Sequence, residues 1–214
     1  MALEQGAIDW SGGRVSAVWH HPARGTTYLV LAHGAGGNMH TPSLAALADT
    51  LSLQEIGVVR FNFPYAEAKR KVPDPQTTLE TCYRTVADHV RPYASRLFLG
   101  GRSMGGRIAS HIVAEGVQAT GLVFLSYPLH PPGQPQRLRT RHLPKITVPM
   151  LFIQGSRDAF AQPDLLRKSL ADLPKATLHV VEGANHGLKV KARSEDDVTA
   201  EIAAVIAAWI SERE

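Results

Sequence analysis

The sequence predicts an α/β protein, with a mostly parallel, twisted sheet covered by helices on both faces. Short apolar segments rich in β-branched residues alternate along the chain with segments whose apolar residues repeat at helical spacing. Strands that alternate with helices pair in parallel, because each helix provides the crossover that a parallel neighbour needs. The length of 214 residues predicts a single domain, residues 1–214.

Seven strands are predicted from apolar segments of four to seven residues. They cover residues 15–20, 27–33, 57–63, 96–99, 121–126, 150–154 and 177–181. Five helices are predicted to begin near Thr41, Thr77, Ser103, Pro163 and Ser194. A Thr-Pro pair at residues 41–42 is typical of a helix start. The pairs Thr77 with Glu80 and Ser194 with Asp197 have the spacing of a capping box.

Residues 101–105 read Gly-Arg-Ser-Met-Gly, the G-x-S-x-G pattern. The predicted strand 96–99 precedes them, and residues 106–114 follow with apolar residues at helical spacing. A strand, a sharp turn carrying serine and a helix form the setting in which this pattern makes a nucleophile elbow. Ser103 is therefore the predicted nucleophile.

A serine hydroxyl needs a base to take its proton and a third group to orient that base. His186 follows the last predicted strand in a glycine-containing loop, and it is the predicted base. Asp158 follows strand 150–154 and is the favoured acid, with Asp164 and Glu182 as alternatives. The chain order Ser103, Asp158, His186 is the order associated with the elbow motif.

The reaction develops a negative oxygen, which needs hydrogen-bond donors that are already in place. One donor is predicted to be the backbone N–H of Met104. The second is expected from the His-Gly-Ala-Gly-Gly loop at residues 33–37, where Ala35 is favoured over Gly34 and Gly36. His33 itself is interpreted as a structural hydrogen-bonding residue.

Loop positions near these groups predict the walls of a substrate pocket. The predicted substrate-contacting residues are Asn38, Met39, Phe63, Tyr65, Tyr127, Phe160 and Leu188. Each of them has an ordinary core interpretation as well.

These motifs together resemble the α/β-hydrolase superfamily, and the resemblance extends from about residue 27 to residue 210. The motifs at residues 33–37, 61–65 and 101–106 are similar to a small lidless branch related to dienelactone hydrolases. That branch includes the testis-expressed hydrolase-like proteins and a chromatin-complex subunit. Dienelactone hydrolases carry cysteine at the elbow, whereas this chain has Ser103, so their substrate is not carried over.

Many α/β-hydrolases insert a helical cap after the strand that corresponds to residues 121–126. Only about 20 residues separate Pro128 from Pro149, too few for a helical lid with its own core. An extended, proline-rich rim and an open site are expected instead. An open site suits small or solvent-accessible esters better than long-chain lipids.

The sequence thus predicts a serine hydrolase that cleaves carboxylic esters through an acyl-enzyme. Acyl transfer or perhydrolysis with the same three residues remains an alternative, because the sequence does not define which nucleophile reaches the acyl-enzyme. A non-catalytic binding or scaffold protein on a hydrolase fold is the alternative from another class. No metal or organic cofactor is expected, since the chain has one cysteine and scattered histidines.

Charge and composition limit the classes of partner that are expected for this protein. A net charge of +4 does not by itself indicate nucleic-acid binding. The one dense basic stretch, residues 137–145, is interpreted as a solvated loop, with an anion-binding edge as the alternative. The lone Cys82 excludes an internal disulfide and suits a reducing compartment, so a cytoplasmic protein is expected.

Neither a signal peptide nor a membrane segment is expected. Residues 1–10 include two acidic side chains and no apolar core, and the longest apolar stretch, residues 202–210, is too short to span a bilayer. The predicted partner is a small ester, without nucleic acid or membrane, and the chain is expected to be a monomer or homodimer.

Overall fold

An eight-stranded sheet forms the centre of the protein in a computed structural model, which describes residues 2–213. The strands are β1 (Ala2–Trp10), β2 (Gly13–His21), β3 (Thr27–Ala32), β4 (Gly57–Phe61), β5 (Arg96–Arg102), β6 (Gly121–Leu125), β7 (Met150–Gly155) and β8 (Ala176–Val181). Their order across the sheet is β1-β2-β4-β3-β5-β6-β7-β8. The β1–β2 and β2–β4 pairs are antiparallel and the others are parallel, which confirms the predicted mostly parallel sheet.

Helices cover both faces of this sheet. They are α1 (Pro42–Ser52), α2 (Pro64–Glu67), α3 (Gln76–Val90), α4 (Met104–Ala114), α5 (Pro163–Leu170) and α6 (Glu195–Ser211). One hydrophobic core lies under α3, α4 and α5, and the other lies under α1 and α6. Within residues 2–213, no helix combines the length and the apolar character needed to cross a membrane.

The central strands β3, β6 and β7 are buried along their whole length. Such strands read as continuous apolar segments because helices cover both faces of a parallel sheet. Since parallel strands end at the same edge, the loops that follow β3, β5, β7 and β8 meet there. This edge is where a site is expected.

The rim segment, residues 126–149, connects β6 to β7 without an α-helix. It contains one short 3₁₀ turn, Leu143–Lys145. Tyr127, Leu129 and Leu143 are buried and hold the segment against the body of the protein. The expected extended rim and the absence of a helical cap are confirmed for the described chain.

The helix starts confirm the predictions for Thr41 and Ser194 and correct the prediction for Thr77. The Ser194 hydroxyl accepts a hydrogen bond from the Asp197 N–H at 3.0 Å, as predicted. The prediction for Thr77 is wrong, because α3 begins at Gln76, and the Glu80 carboxylate accepts from the Gln76 side chain at 2.7 Å. Thr41 is the N-cap residue of α1 and Pro42 is the first helical residue, as predicted. The Thr41 hydroxyl does not cap an α1 N–H but donates to a carbonyl in the preceding loop.

Candidate active site

Ser103 lies in a strained turn between β5 and α4. Its backbone has φ of +50° and ψ of −114°, a conformation that a residue with a Cβ rarely adopts. The Ser103 N–H donates to the Leu125 carbonyl at 2.9 Å, which fixes the turn to the neighbouring strand. A Cβ at Gly105 would lie 2.6 Å from the carbonyl oxygens of Ala32 and His33, so only glycine fits there. The predicted strand–turn–helix setting is present.

The structure brings the three predicted residues into one hydrogen-bonded chain. His186 Nε2 lies 3.0 Å from Ser103 Oγ, and His186 Nδ1 lies 2.7 Å from Asp158 Oδ2. A carboxylate only accepts, so Nδ1 carries the ring proton and Nε2 is left to accept from the serine hydroxyl. This is the geometry in which a histidine removes a proton from a serine.

Asp158 is 2% exposed and is held by further donors. The Phe160 N–H donates to Oδ1 at 2.8 Å, and the Gln154 side-chain amide donates to Oδ2. These two donors therefore fix the orientation of the carboxylate that contacts His186. Gln154 was not predicted, although a glutamine in the otherwise apolar strand β7 is a signal that sequence reading could have used.

The two alternative acids lie elsewhere. The Asp164 side chain is 99% exposed and pairs with Arg167 at 3.1 Å. Glu182 accepts from the Ser156 hydroxyl at 2.9 Å. Of the three candidates, only Asp158 contacts His186.

The loop that carries His186 is closed by a side chain from within it. Asn185 Oδ1 accepts from the N–H groups of Gly187 at 2.8 Å and Lys189 at 3.2 Å. The Phe160 ring lies against the imidazole, with ring centroids 4.3 Å apart. These contacts restrict the imidazole to the side of the loop that faces Ser103.

His33 organises the loop after β3. Its Nε2 accepts from the Phe63 N–H at 3.1 Å, so Nδ1 carries the proton and donates to the Gly34 carbonyl at 2.9 Å. Burial lowers the pKa of His33 to about 4, so the ring is neutral at physiological pH. This agrees with the predicted structural role.

Backbone N–H groups near Ser103 are free to bind an oxygen. Within residues 2–213, the N–H groups of Gly34, Ala35 and Met104 donate to no other protein group, so the structure leaves Gly34 as an alternative to Ala35. Met104 is the first residue of α4, where backbone N–H groups have no partner inside the helix. The Met104 side chain is half-buried and packs against the core.

An open pocket of about 380 Å³ lies at these groups. Its lining residues are Gly34, Ala35, Gly36, Gly37, Thr41, Arg102, Ser103, Phe160 and His186. Phe160 was predicted as a wall residue, whereas Thr41 and Arg102 were not. Among the described residues, no three His, Cys, Asp or Glu side chains are grouped so that they could hold a metal ion.

Three predicted wall residues belong to the core instead, which corrects the prediction. Phe63 and Tyr65 are 0% exposed and Tyr127 is 1% exposed, so they present no surface to a substrate. The Tyr65 hydroxyl donates to the Gly34 carbonyl at 3.2 Å, and the Tyr127 hydroxyl donates to the rim at 2.8 Å. Burial raises the pKa of Tyr65 and of Tyr127 to about 12, so both stay protonated. A position at a strand end does not define the direction of the side chain.

The prediction is also wrong for Asn38, Met39 and Leu188, whose side chains are engaged elsewhere. Met39 is buried, and the Asn38 side chain accepts from the His40 N–H at 2.8 Å within its own loop. Leu188 lines a separate cavity of about 40 Å³ between β5, α1 and α6. None of the three lines the pocket at Ser103.

Comparisons with known proteins agree with this architecture. Residues 25–212 match the model of the alpha/beta hydrolase domain. A serine hydrolase without a lid from Xanthomonas campestris superposes with a TM-score of 0.77 at 21% identity, covering 98% of this chain and 95% of the other. Dienelactone hydrolase from Anabaena variabilis gives a TM-score of 0.78 at 17% identity, covering 99% and 97%.

A third neighbour is Est1E from Butyrivibrio proteoclasticus, solved with ferulic acid bound. It gives a TM-score of 0.77 at 16% identity, covering 96% of this chain and 99% of the other. At these identities the neighbours show the fold alone, and the Xanthomonas protein shares it without a lid. With a family model that spans nearly all of its length, the chain belongs to the α/β-hydrolase family.

Proposed function

We propose that this protein hydrolyses carboxylic esters through an acyl-enzyme formed on Ser103. The observation that carries the proposal is the hydrogen-bonded chain from Ser103 Oγ through the His186 ring to the buried Asp158 carboxylate, with steps of 3.0 and 2.7 Å. These distances lie within the range expected of an activated nucleophile and its base.

In the proposed mechanism, Ser103 attacks the ester carbonyl while His186 takes the hydroxyl proton. Asp158 holds the imidazole in the required tautomer and stabilises its positive charge. The histidine then donates the proton to the leaving alcohol, which departs and leaves the acyl group on Ser103. Water, activated by His186 in turn, releases the acid and restores the enzyme.

The oxyanion of each tetrahedral intermediate is proposed to bind the backbone N–H groups of Ala35 and Met104. Both groups are without protein acceptors in the described structure. Met104 follows Ser103 in the chain, and Ala35 lines the same pocket as Ser103. Donors that are already oriented stabilise developing charge without reorganisation, and one such donor typically contributes about 3 kcal/mol.

The shape of the site supports small or solvent-accessible esters. The pocket of about 380 Å³ is open, and the rim segment adds no helix above it. Glycines and Thr41 form much of its wall, so a long acyl chain finds little apolar surface to cover.

The proposal is tested with p-nitrophenyl esters of two to sixteen acyl carbons and with methyl ferulate. The acetate and butyrate esters are expected to be hydrolysed with a higher kcat/KM than the palmitate ester. Replacing Ser103 by alanine is expected to lower kcat by about a million-fold, the scale seen when a serine nucleophile is removed.

The matched control is Ser211→Ala, which removes an exposed hydroxyl at the end of α6. It is expected to keep full activity. Equal ester hydrolysis by the Ser103→Ala protein and the unmodified protein would contradict the proposed function.

A further inference from the structure

A second concave site lies beside the rim segment, and positive charge dominates it. The cavity measures about 610 Å³ and is lined by Arg107, Pro131, Gln136, Arg137, Leu138, Arg139 and Arg141. Four of these seven residues are arginines and none is acidic. We call this cavity the arginine pocket.

The charges of these arginines are not neutralised by the protein. Arg107 donates to the Gln76 side chain at 3.0 Å and Arg137 donates to the Gln134 side chain at 2.7 Å, and both acceptors are neutral amides. Arg84 and Arg167 elsewhere pair with carboxylates. Within residues 2–213, none of the four pocket arginines does so.

The cluster also shows the cost of bringing like charges together. Burial lowers the pKa of Arg139, and the neighbouring charges of Arg107 and Arg137 lower it further. The Arg107 Nε–H is buried and has no acceptor among the described residues. An anion among these guanidinium groups would offset the repulsion between their charges.

Two contacts place the arginine pocket beside the Ser103 pocket. The Arg107 N–H donates to the Ser103 carbonyl at 3.1 Å, so the two residues are about one helical turn apart, about 6 Å along the axis. The His130 N–H donates to the Phe160 carbonyl at 3.2 Å. Phe160 lines the Ser103 pocket, and Pro131, the residue after His130, lines the arginine pocket.

We propose that the arginine pocket binds a phosphate group, and that the natural ester substrate carries this phosphate at the end remote from its scissile bond. A phosphate monoester has a charge near −2 and three acceptor oxygens. It can therefore pair with several guanidinium groups at once, whereas a ligand with a single carboxylate offers less charge and fewer acceptors. The four arginines line a single cavity of about 610 Å³, which favours a small molecule over a nucleic acid. Phosphate binding to the arginine pocket does not depend on catalysis. The assignment of a phosphorylated ester as the substrate rests on the proposed ester hydrolysis.

The first test measures binding of phenyl phosphate by isothermal titration calorimetry, using the Ser103→Ala protein to prevent turnover. The perturbing variant is Arg137→Gln with Arg141→Gln, because both side chains are exposed and their loss leaves the fold intact. The matched control is Arg84→Gln with Arg167→Gln, which changes net charge equally outside the pocket. Melting temperatures verify that both variants are folded.

We expect one phosphate site per chain and a Kd that rises at least about tenfold in the pocket variant, with little change in the control. Added salt should weaken the binding. Absence of binding, or equal weakening in both double variants, overturns the proposal. Tighter binding of a single-stranded oligonucleotide through the same arginines overturns the assignment to a small molecule.

The second test compares 4-acetoxyphenyl phosphate with phenyl acetate, which share the acyl group. The ratio of their kcat/KM values should favour the phosphorylated ester and should fall about tenfold in the pocket variant, but not in the control. An unchanged ratio overturns the link to the Ser103 site. If neither ester is hydrolysed, the proposed function fails, while the calorimetry still decides whether the pocket binds phosphate.

Discussion

Replacing Asp158 by asparagine tests the proposed chemistry with a nearly isosteric change. The carboxylate accepts hydrogen bonds from three donors: His186 and Gln154 at Oδ2, and the Phe160 N–H at Oδ1. An asparagine side chain has one oxygen and one NH₂ group, so it cannot accept at both positions. Either orientation of the amide therefore places the NH₂ against a donor.

The two orientations have different consequences. If the amide oxygen takes the Oδ2 position, the NH₂ faces the Phe160 N–H and a buried donor is left unpaired, at about 1–3 kcal/mol. If the NH₂ takes the Oδ2 position, it faces His186 Nδ1, which must then accept. The ring proton moves to Nε2 and no acceptor remains for the Ser103 hydroxyl.

Both orientations also remove the negative charge that stabilises the imidazolium. The expected result is a fall in kcat of about 10⁴, as for the equivalent substitution in serine proteases. This corresponds to about 5.4 kcal/mol of transition-state stabilisation. The assay is the rate of p-nitrophenyl acetate hydrolysis at pH 7.5, with Asp164→Asn as the matched control on the exposed carboxylate.

Loss of less than about tenfold in kcat for Asp158→Asn would refute this reasoning, because His186 would not then depend on the carboxylate. A comparable loss in Asp164→Asn would refute the choice of acid. Thermal melting of each variant separates loss of activity from loss of fold.

Three further predictions concern stability and are measured by urea unfolding. The buried Tyr83 hydroxyl accepts from the Gly100 N–H at 2.9 Å. Tyr83→Phe should therefore lower the free energy of unfolding by about 1–3 kcal/mol. An unchanged free energy of unfolding would contradict the importance of that contact. Gly105→Ala introduces a Cβ within 2.6 Å of two backbone oxygens and should lower the same free energy by about 1–3 kcal/mol; full stability would show that the elbow tolerates a side chain. Because burial lowers the pKa of His33 to about 4, the unfolded chain binds a proton at higher pH than the folded one does, and stability should fall as pH drops from 6.5 towards 4. Over that pH range, the free energy of unfolding of the His33→Gln protein should fall by about 3 kcal/mol less than that of the unmodified protein. An equal fall in both proteins would exclude His33 as a cause.

The central sheet and the groups around Ser103 were predictable because their signals are local or strongly periodic. Buried parallel strands appear as apolar segments, and the elbow requires glycine where backbone oxygens approach. The strand β1 was missed because its first six residues are exposed and show no alternation of apolar side chains. It is held by main-chain pairing with β2, which a sequence pattern does not reveal.

The walls of the site were less predictable than its reacting groups. Phe63, Tyr65 and Tyr127 follow strands that end at the site, but their side chains turn into the core. Which way a loop side chain points depends on tertiary contacts, such as the bond from the Tyr65 hydroxyl to Gly34. Gln154, which orients Asp158, is visible in the sequence only as a polar residue in an apolar strand.

The claim that Ser103 is an activated nucleophile has a direct chemical test. A fluorophosphonate probe reacts with a serine hydroxyl only when a base removes its proton, and intact-mass spectrometry records the adduct. The account predicts one adduct on the unmodified protein, mapped to Ser103 by peptide analysis, and none on the Ser103→Ala protein. An adduct of equal yield on the Ser103→Ala protein, or none on the unmodified protein, would contradict it.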